Sequence, residues 1–113
     1  MRFLTALLAL GVAFATPAQA AFPEKNIDFV IPYGPGGGFD TLTRKMIPYM
    51  EEYFAKQGSK ISVVPVNMPG ASGNKAAAFT SRSKPDGYAI QVFNVPGHGL
   101  GYITGNDAGY DIT

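Results

Sequence analysis

The sequence contains no cysteine. Disulfides, zinc thiolate sites, a thiol nucleophile and a lipid anchor on a cysteine are therefore excluded for this chain. It contains a single histidine, His98, and no second type of metal ligand clusters near it in the sequence. The sequence thus predicts no metal site, and His98 is interpreted as a loop residue.

An excess of charge of either sign is also absent. Nine basic residues stand against eight acidic ones, and Arg2 is the one charged residue among the first twenty. Without those twenty residues the chain is neutral, and it carries no basic stripe or Lys/Arg cluster. The composition therefore gives no support for a nucleic-acid partner or for an anionic membrane surface.

Residues 1–20 have the three parts of a secretory signal peptide. Arg2 supplies a short positive region, a mostly apolar stretch extends from Phe3 to Phe14, and the segment ends in the small-residue pattern of residues 18–20. The apolar stretch is too short to cross a bilayer, and Pro17 would interrupt a helix that continued. We therefore predict export, with cleavage after Ala20.

Strand-like and helix-like segments alternate along the rest of the chain. Strands are predicted at 27–31, 60–66 and 88–93, where β-branched and aromatic residues cluster, with helices at 40–57 and 74–82. Segment 101–113 is predicted to be loop or surface. This alternation predicts an α/β fold in which helices flank a parallel sheet.

The first helix is predicted to start at Asp40, whose carboxylate can cap free N–H groups of the first turn, and to stop at Gly58. Pro48 lies inside the helix and predicts a kink. Apolar residues recur at every fourth position, with Ile47 and Tyr53 alongside, and predict the buried face: Leu42, Met46, Met50 and Phe54.

Glycine-containing loops follow the three predicted strands, at 33–39, 67–73 and 94–99. Parallel strands end at one edge of a sheet, and open α/β sheets bind ligands beyond that edge. Gly36, Gly37 and Gly38 lead into the first helix, where exposed N–H groups suit a carboxylate or a phosphate. Loop 67–73 leads into the second helix in the same way. Together the two N-termini predict a site for two carboxylates or for both ends of a small dicarboxylate.

Two side chains in the first loop have alternative roles. Asp40 either only caps its helix or faces the pocket, where its carboxylate would suit a ligand ammonium, a hydroxyl or an ordered water. Tyr33 is either a core or rim aromatic residue or a ligand contact beside the glycines. The sequence leaves both alternatives open.

Catalytic and phosphate-binding motifs do not fit these loops. Segment 34–41 has no lysine for a Walker A loop, and its glycines are misplaced for a dinucleotide-binding G-x-G-x-x-G pattern. Segment 70–74 lacks the second glycine of a nucleophile elbow. Since the chain also offers no activated serine, we predict a binding protein rather than an enzyme, without a cofactor.

Three segments, in their order and spacing, resemble a known family. They are Ile27–Asp40, ending in Pro-Tyr-Gly-Pro-Gly-Gly-Gly-Phe-Asp, Asn67–Asn74, reading Asn-Met-Pro-Gly-Ala-Ser-Gly-Asn, and Lys84–Tyr88, reading Lys-Pro-Asp-Gly-Tyr. The family is that of the Bug proteins, the receptors of the tripartite tricarboxylate transporters. The resemblance runs from about Phe22 to the end of the chain. It implies a periplasmic receptor with two α/β lobes, which binds a small carboxylate in the cleft between them and delivers it to a membrane permease.

The resemblance also implies which residues hold the ligand, largely through backbone amides and ordered waters. Gly34 departs from the family pattern, which commonly has a proline at that point of the first loop. The residues implied are Tyr33, Gly36, Gly37, Gly38 and Asp40 from the first loop, Ala71, Ser72, Gly73 and Asn74 from the second, and Asn94 with Gly97 from the third.

Family members have a complete second lobe and a crossover that returns to the first. The resemblance therefore implies that residues 21–113 form an incomplete first lobe of the two-lobed fold. Two expectations follow for function. The chain is a receptor, or a fragment of one, that captures a small carboxylate, or it is a truncated remnant without ligand binding.

Overall fold

The computed structural model describes residues 22–105. The predicted signal peptide (1–20) and the tail from residue 106 onward lie outside the described residues. Three strands and three helices alternate, with one 3-10 turn at Ala71–Gly73. The elements are β1 (Ile27–Ile31), α1 (Gly38–Lys56), β2 (Val63–Asn67), α2 (Asn74–Arg82), β3 (Ala89–Gln91) and α3 (Val95–Ile103).

The three strands form one parallel sheet in the order β2-β1-β3. Ile27 pairs with Val63 at one end of β1, and Asp28 pairs with Ala89 of β3. The central position of β1 explains its run of apolar residues, because a strand covered on both faces has few solvated side chains. Val30 and Ile31 are completely buried. The predicted α/β fold with a parallel sheet is confirmed.

The two crossovers run across the sheet in opposite directions. The first runs from β1 through α1 to β2, and the second returns from β2 through α2 to β3. Because such crossovers are right-handed, opposite directions place α1 and α2 on opposite faces of the sheet. On the α1 face, Phe29 and Ile27 pack with Ile47 and Met50. On α2 the buried side chains are small alanines at 76 and 77, which let the helix approach the sheet closely.

The predicted buried face of α1 is half wrong. Leu42 and Met46 are 53% and 43% exposed, whereas Thr43 is completely buried. Steps of four residues advance about 400° around a helix, so a strict four-residue repeat drifts by about 40° at each step. The stripe that faces the sheet instead alternates steps of four and three residues: Thr43, Ile47, Met50 and Phe54.

Four boundaries also differ from the sequence-based prediction, and one of them is that of β3, which covers Ala89–Gln91 rather than 88–93. Helix α1 begins at Gly38 and has Gly37 as its N-cap, so Asp40 lies inside the first turn and does not cap the helix. Strand β2 begins at Val63, and the N–H of Ser62 before it donates to Asn26 Oδ1. The segment predicted as a third loop and a surface tail forms α3 up to Ile103.

The free edge of β2 carries a proline. Pro65 pairs with Phe29 across the ladder and has no N–H group to offer on the outer side. Two positions earlier, the N–H of Val63 donates to Glu51 Oε1 of α1 at 2.8 Å. Helix α1 therefore covers part of the free outer edge of β2.

None of the helices within residues 22–105 has the length and apolar character needed to cross a membrane.

Candidate functional site

Three loops leave the carboxyl ends of the parallel strands and meet at one edge of the sheet. We name them loop 1 (32–37, between β1 and α1), loop 2 (68–73, between β2 and α2) and loop 3 (92–94, between β3 and α3). Loop 1 is central because β1 lies between the other two strands. In a sheet of this order the crevice for a ligand opens between the central strand and the strand reached by the second crossover, here β1 and β3.

Loop 1 presents bare backbone to solvent. Gly36 has a φ of +81°, a conformation that costs glycine little and other residues more. Nothing lies within 4 Å of the positions that a Cβ would take on Gly36 or Gly38, and both residues are exposed with Gly37 between them. The first N–H groups of α1 have no acceptor inside the helix. This end of α1 is therefore open to an acceptor from outside the chain.

Asp40 lies beneath this loop and is 4% exposed. Its Oδ2 accepts the N–H of Gly36 at 2.9 Å, and its Oδ1 accepts Arg44 Nε and Asn67 Nδ2, both at 2.9 Å. The Arg44 guanidinium, the Gly36 N–H and the Asn67 amide lower the pKa of the Asp40 carboxyl from 3.8 to about 2. Asp40 is therefore a carboxylate at neutral pH, engaged by donors of its own chain.

Arg44 and Asn67 were missed by the sequence analysis as members of this site. The Nη2 of Arg44 donates to Asn67 Oδ1 at 3.1 Å, and Asn67 Nδ2 also donates to the carbonyl oxygen of Tyr33 at 3.0 Å. Asn67 thus joins the end of β2 to loop 1 and to α1. Its place at the start of the second glycine-containing motif was the available signal, since a polar residue that ends a buried strand often binds a neighbouring loop.

Tyr33 connects loop 1 to loop 3. Its ring stacks on Phe39, with centroids 5.0 Å apart and planes inclined by 21°. Its hydroxyl oxygen accepts Asn94 Nδ2 at 2.9 Å. Asn94 also caps α3, since its Oδ1 accepts the N–H of Gly97 at 3.5 Å. A Cβ on Gly97 would lie 3.2 Å from Asn94 Nδ2, so a side chain here would displace the Asn94 amide by a few tenths of an ångström.

Loop 2 enters α2 through an unusual backbone. Gly70, Ala71, Ser72 and Gly73 all have positive φ, at +136°, +48°, +53° and +98°. Ala71 and Ser72 are the two residues other than glycine with positive φ in the described part of the chain. This conformation costs such residues about 1–2 kcal/mol each. Both are exposed, Gly73 is buried, and Asn74 opens α2. Strain of this kind is often held at binding sites.

The structure thus places the eleven predicted site residues around one edge, but in different surroundings. Gly36–Gly38 and the pair Ala71–Ser72 are exposed, Tyr33 and Asn94 are half-buried and bonded to each other, and Asp40 is buried below them. In the described residues no group of three or more His, Asp or Glu side chains could hold a metal ion. The arrangement offers backbone and side-chain donors for an anion.

Two surface cavities among the described residues contain none of the predicted site residues. One, of about 550 Å³, lies along α2 between Met68 and Ser83 and has Lys75 and Arg82 at its rim. The other, of about 380 Å³, lies on the outer face of α1, where Tyr49 and Tyr53 are among its walls. Both are open and mostly apolar surfaces rather than enclosed pockets.

Comparisons with known proteins identify the relatives of this chain, although no protein-family model matches it. A UPF0065 protein from Cupriavidus necator is 39% identical over 105 residues, which are 88% of this chain and 29% of that protein. The structure of the periplasmic binding protein BugD shares 26% identity at a TM-score of 0.56, over 67% of this chain and 27% of BugD.

A second solved structure contains a ligand. The R. palustris protein Rpa4515 with adipate has a TM-score of 0.58 and 29% identity, and the match covers 64% of this chain and 22% of that protein. The chain therefore spans between a fifth and a third of the length of these relatives. The solved neighbours include a periplasmic transporter, the periplasmic binding protein BugD and a TctC solute-binding protein from Polaromonas. Together with the parallel sheet and its three loops, these matches show that the chain belongs to the Bug family of tripartite tricarboxylate receptors, of whose members it spans about a quarter.

Proposed function

We propose that this chain provides the ligand-binding edge of a receptor that captures a small carboxylate in the periplasm and delivers it to a membrane permease. The observation that carries the proposal is the joining of the three loops at the carboxyl edge of the sheet. Loop 1 is bonded to the end of β2 through Asn67 and to loop 3 through Asn94. Loops held in this way present their donors in a fixed arrangement, which lowers the entropic cost of binding.

The donors suit an anion. The N-terminus of α1 is lined by glycines, so that a carboxylate can approach its N–H groups closely, and the helix dipole favours negative charge there. The charge of Asp40 does not oppose this, because Arg44 lies against it at 2.9 Å. The N-terminus of α2, reached through Ser72 and Gly73, offers a second place for a carboxylate at the same edge.

Tyr33 supplies a side-chain donor. Since Asn94 Oδ1 accepts the Gly97 N–H, its Nδ2 is the atom that faces Tyr33, and the tyrosine oxygen accepts that bond. A hydroxyl that accepts one bond keeps its own proton for another acceptor. The Tyr33 O–H therefore donates to a ligand oxygen in the crevice between β1 and β3.

The mechanism is binding and release, with no bond made or broken. The ligand carboxylate replaces water at the loop edge, the second lobe of a full-length receptor closes over it, and the closed form is the one recognised by the permease. Residues 1–20 direct export and are removed after Ala20. The Rpa4515 structure with adipate supports a short dicarboxylate as the first ligand to test.

The experiment is a thermal unfolding assay of the mature chain with adipate, shorter dicarboxylates and citrate. A ligand present at 100 times its Kd stabilises the folded state by about 2.7 kcal/mol. Adipamide, the neutral diamide of the same length, is the matched control because it keeps the shape and loses the charge. We expect at least one acid to raise the Tm and adipamide to leave it unchanged.

Two results would contradict the proposal. Equal shifts with adipate and adipamide would show that the edge does not select an anion. Unchanged Tm values with every acid would favour the alternative, a remnant that does not bind ligand.

A further inference from the structure

The buried carboxylate of Asp40 is the feature of the loop edge that ligand contact alone does not explain. Its side chain is 6% exposed, while the glycines of loop 1 above it are exposed. A carboxylate removed from water is stable only where donors surround it. Three donors do so here, from loop 1, from α1 and from the end of β2: the Gly36 N–H, Arg44 Nε and Asn67 Nδ2.

Two further hydrogen bonds link these groups to one another and to loop 1. Arg44 donates to Asn67 as well as to Asp40, and Asn67 donates to the Tyr33 carbonyl as well as to Asp40. We name the three side chains Asp40, Arg44 and Asn67 the Asp40 network. It holds loop 1 at two points, the carbonyl oxygen of Tyr33 and the N–H of Gly36. A shift of any one member would move the backbone whose N–H groups are proposed to bind the ligand.

We infer that Asp40 is a positioning residue: through Arg44 and Asn67 it fixes the loop 1 backbone in its binding conformation, and it does not itself contact the ligand. This inference rests on the proposed function and assigns Asp40 a third role, distinct from the helix cap and the ligand contact that the sequence left open. Its carboxylate is already bonded to donors of its own chain, so it does not bind an ammonium group of the ligand. The network therefore serves plain carboxylic acids and amino acids alike.

The geometry supports a role beyond packing. The Gly36 N–H belongs to an exposed loop but donates to the buried Asp40 carboxylate, so this bond fixes the direction of the loop backbone at Gly36. A charged acceptor gives a stronger hydrogen bond than a neutral one. An amide at position 40 would keep the size of the side chain but lose the charge and present an N–H₂ group to at least one donor.

The experiment compares the affinities of two ligands that differ only in an ammonium group, adipate and 2-aminoadipate, measured by calorimetry. In Asp40→Asn we expect both affinities to fall by about tenfold or more, and by the same factor. Asn67→Ala, which leaves the Asp40 charge in place, is expected to change both affinities in the same way. Asp28→Asn is the matched control, because Asp28 is exposed on β1 away from the loop edge.

A second readout does not depend on ligand. The amide proton resonance of Gly36 reports the bond to the carboxylate, and we expect it to move upfield in Asp40→Asn and in Asn67→Ala at neutral pH. A merely structural role would lower stability without moving this resonance in a folded variant. The Asn67→Ala measurement keeps the test open if Asp40→Asn does not fold.

Three outcomes would overturn the inference. If Asp40→Asn weakens only 2-aminoadipate, Asp40 is a ligand contact. If neither affinity changes, or if the Gly36 resonance stays in place, the network does not position the loop. If the unmodified chain binds neither acid, the proposed function fails, and the Gly36 resonance then shows separately whether the network holds loop 1.

Discussion

The side-chain amide of Asn94 donates to the hydroxyl oxygen of Tyr33 at 2.9 Å, across 61 residues of sequence. The contact joins the loop that follows the central strand to the cap of the last helix, because the other end of the same amide accepts the Gly97 N–H. One asparagine thus does two things at once. It starts α3, and it sets the direction in which Tyr33 can donate.

The two roles of Asn94 can be separated by mutation. Asn94→Ala removes the helix cap and the bond to Tyr33, and we expect it to lower the free energy of unfolding by about 2 kcal/mol. Tyr33→Phe removes the hydroxyl alone and should cost about 1 kcal/mol. Urea unfolding followed by circular dichroism measures both. Equal losses in the two variants would mean that the Asn94 cap contributes nothing to α3.

Acid should weaken the fold through Asp40. Its pKa is lowered to about 2 in the folded state, below the ordinary 3.8, so the unfolded chain takes up a proton first as the pH falls. The contribution of Asp40 is therefore fully present above about pH 4 and is lost as the pH falls towards 2. Urea midpoints measured from pH 7 to pH 2.5 should converge for the wild type and Asp40→Asn. A constant difference between them would show that Asp40 titrates normally.

Two glycines of loop 1 should respond differently to a methyl group. Gly36→Ala forces a positive φ on alanine and should cost about 1–2 kcal/mol of stability. Gly38→Ala lies in the first turn of α1 with open space around the added methyl, so stability should stay within about 1 kcal/mol. The methyl of Gly38→Ala nevertheless stands where a carboxylate would approach.

Binding measured on the same two variants then tests the loop edge directly. We expect Gly38→Ala to lose affinity for adipate while its urea midpoint is unchanged. Unimpaired binding by this variant would place the ligand elsewhere on the surface.

Two methionines of α1, four residues apart, test which face of the helix is packed. Met50 lies against the core around Phe29, whereas Met46 is 43% exposed. Met50→Ala should cost about 2 kcal/mol, and Met46→Ala should cost about 0.5 kcal/mol or less. Thermal and urea unfolding give both values. A similar loss at Met46 would mean that a further part of the protein covers the outer face of α1.

The order of strands and helices was predictable from the sequence because the local patterns are strong. Clusters of β-branched and aromatic residues such as Ile27–Ile31 are typical of buried strands. The parallel sheet follows from the alternation of these strands with helices. The segment from Val95 onward was missed because its glycines disfavour a helix. Asn94 as a cap and Pro96 in the first turn were signals for a helix start that outweighed them.

The site was predictable only in part. Glycines before a helix indicate an anion site whatever the tertiary structure, and the structure places them at the expected edge. The partners of Asp40 were not predictable, since Asn67 lies 27 residues away and reaches Asp40 only when β2 pairs with β1. Which polar side chain meets a buried charge depends on where the paired strands end in space, and the sequence does not show this.

Pro65 sets the direction in which the sheet can grow. On the outer side of β2, one position has no hydrogen to give and the N–H of Val63, two residues before it, is already bound to Glu51. A strand that approached this edge of β2 would find two backbone N–H donors missing. Natural proteins protect sheet edges against pairing with other chains in the same way. A further strand, from the same polypeptide or from a neighbouring chain, is therefore disfavoured from pairing with β2 at these two positions.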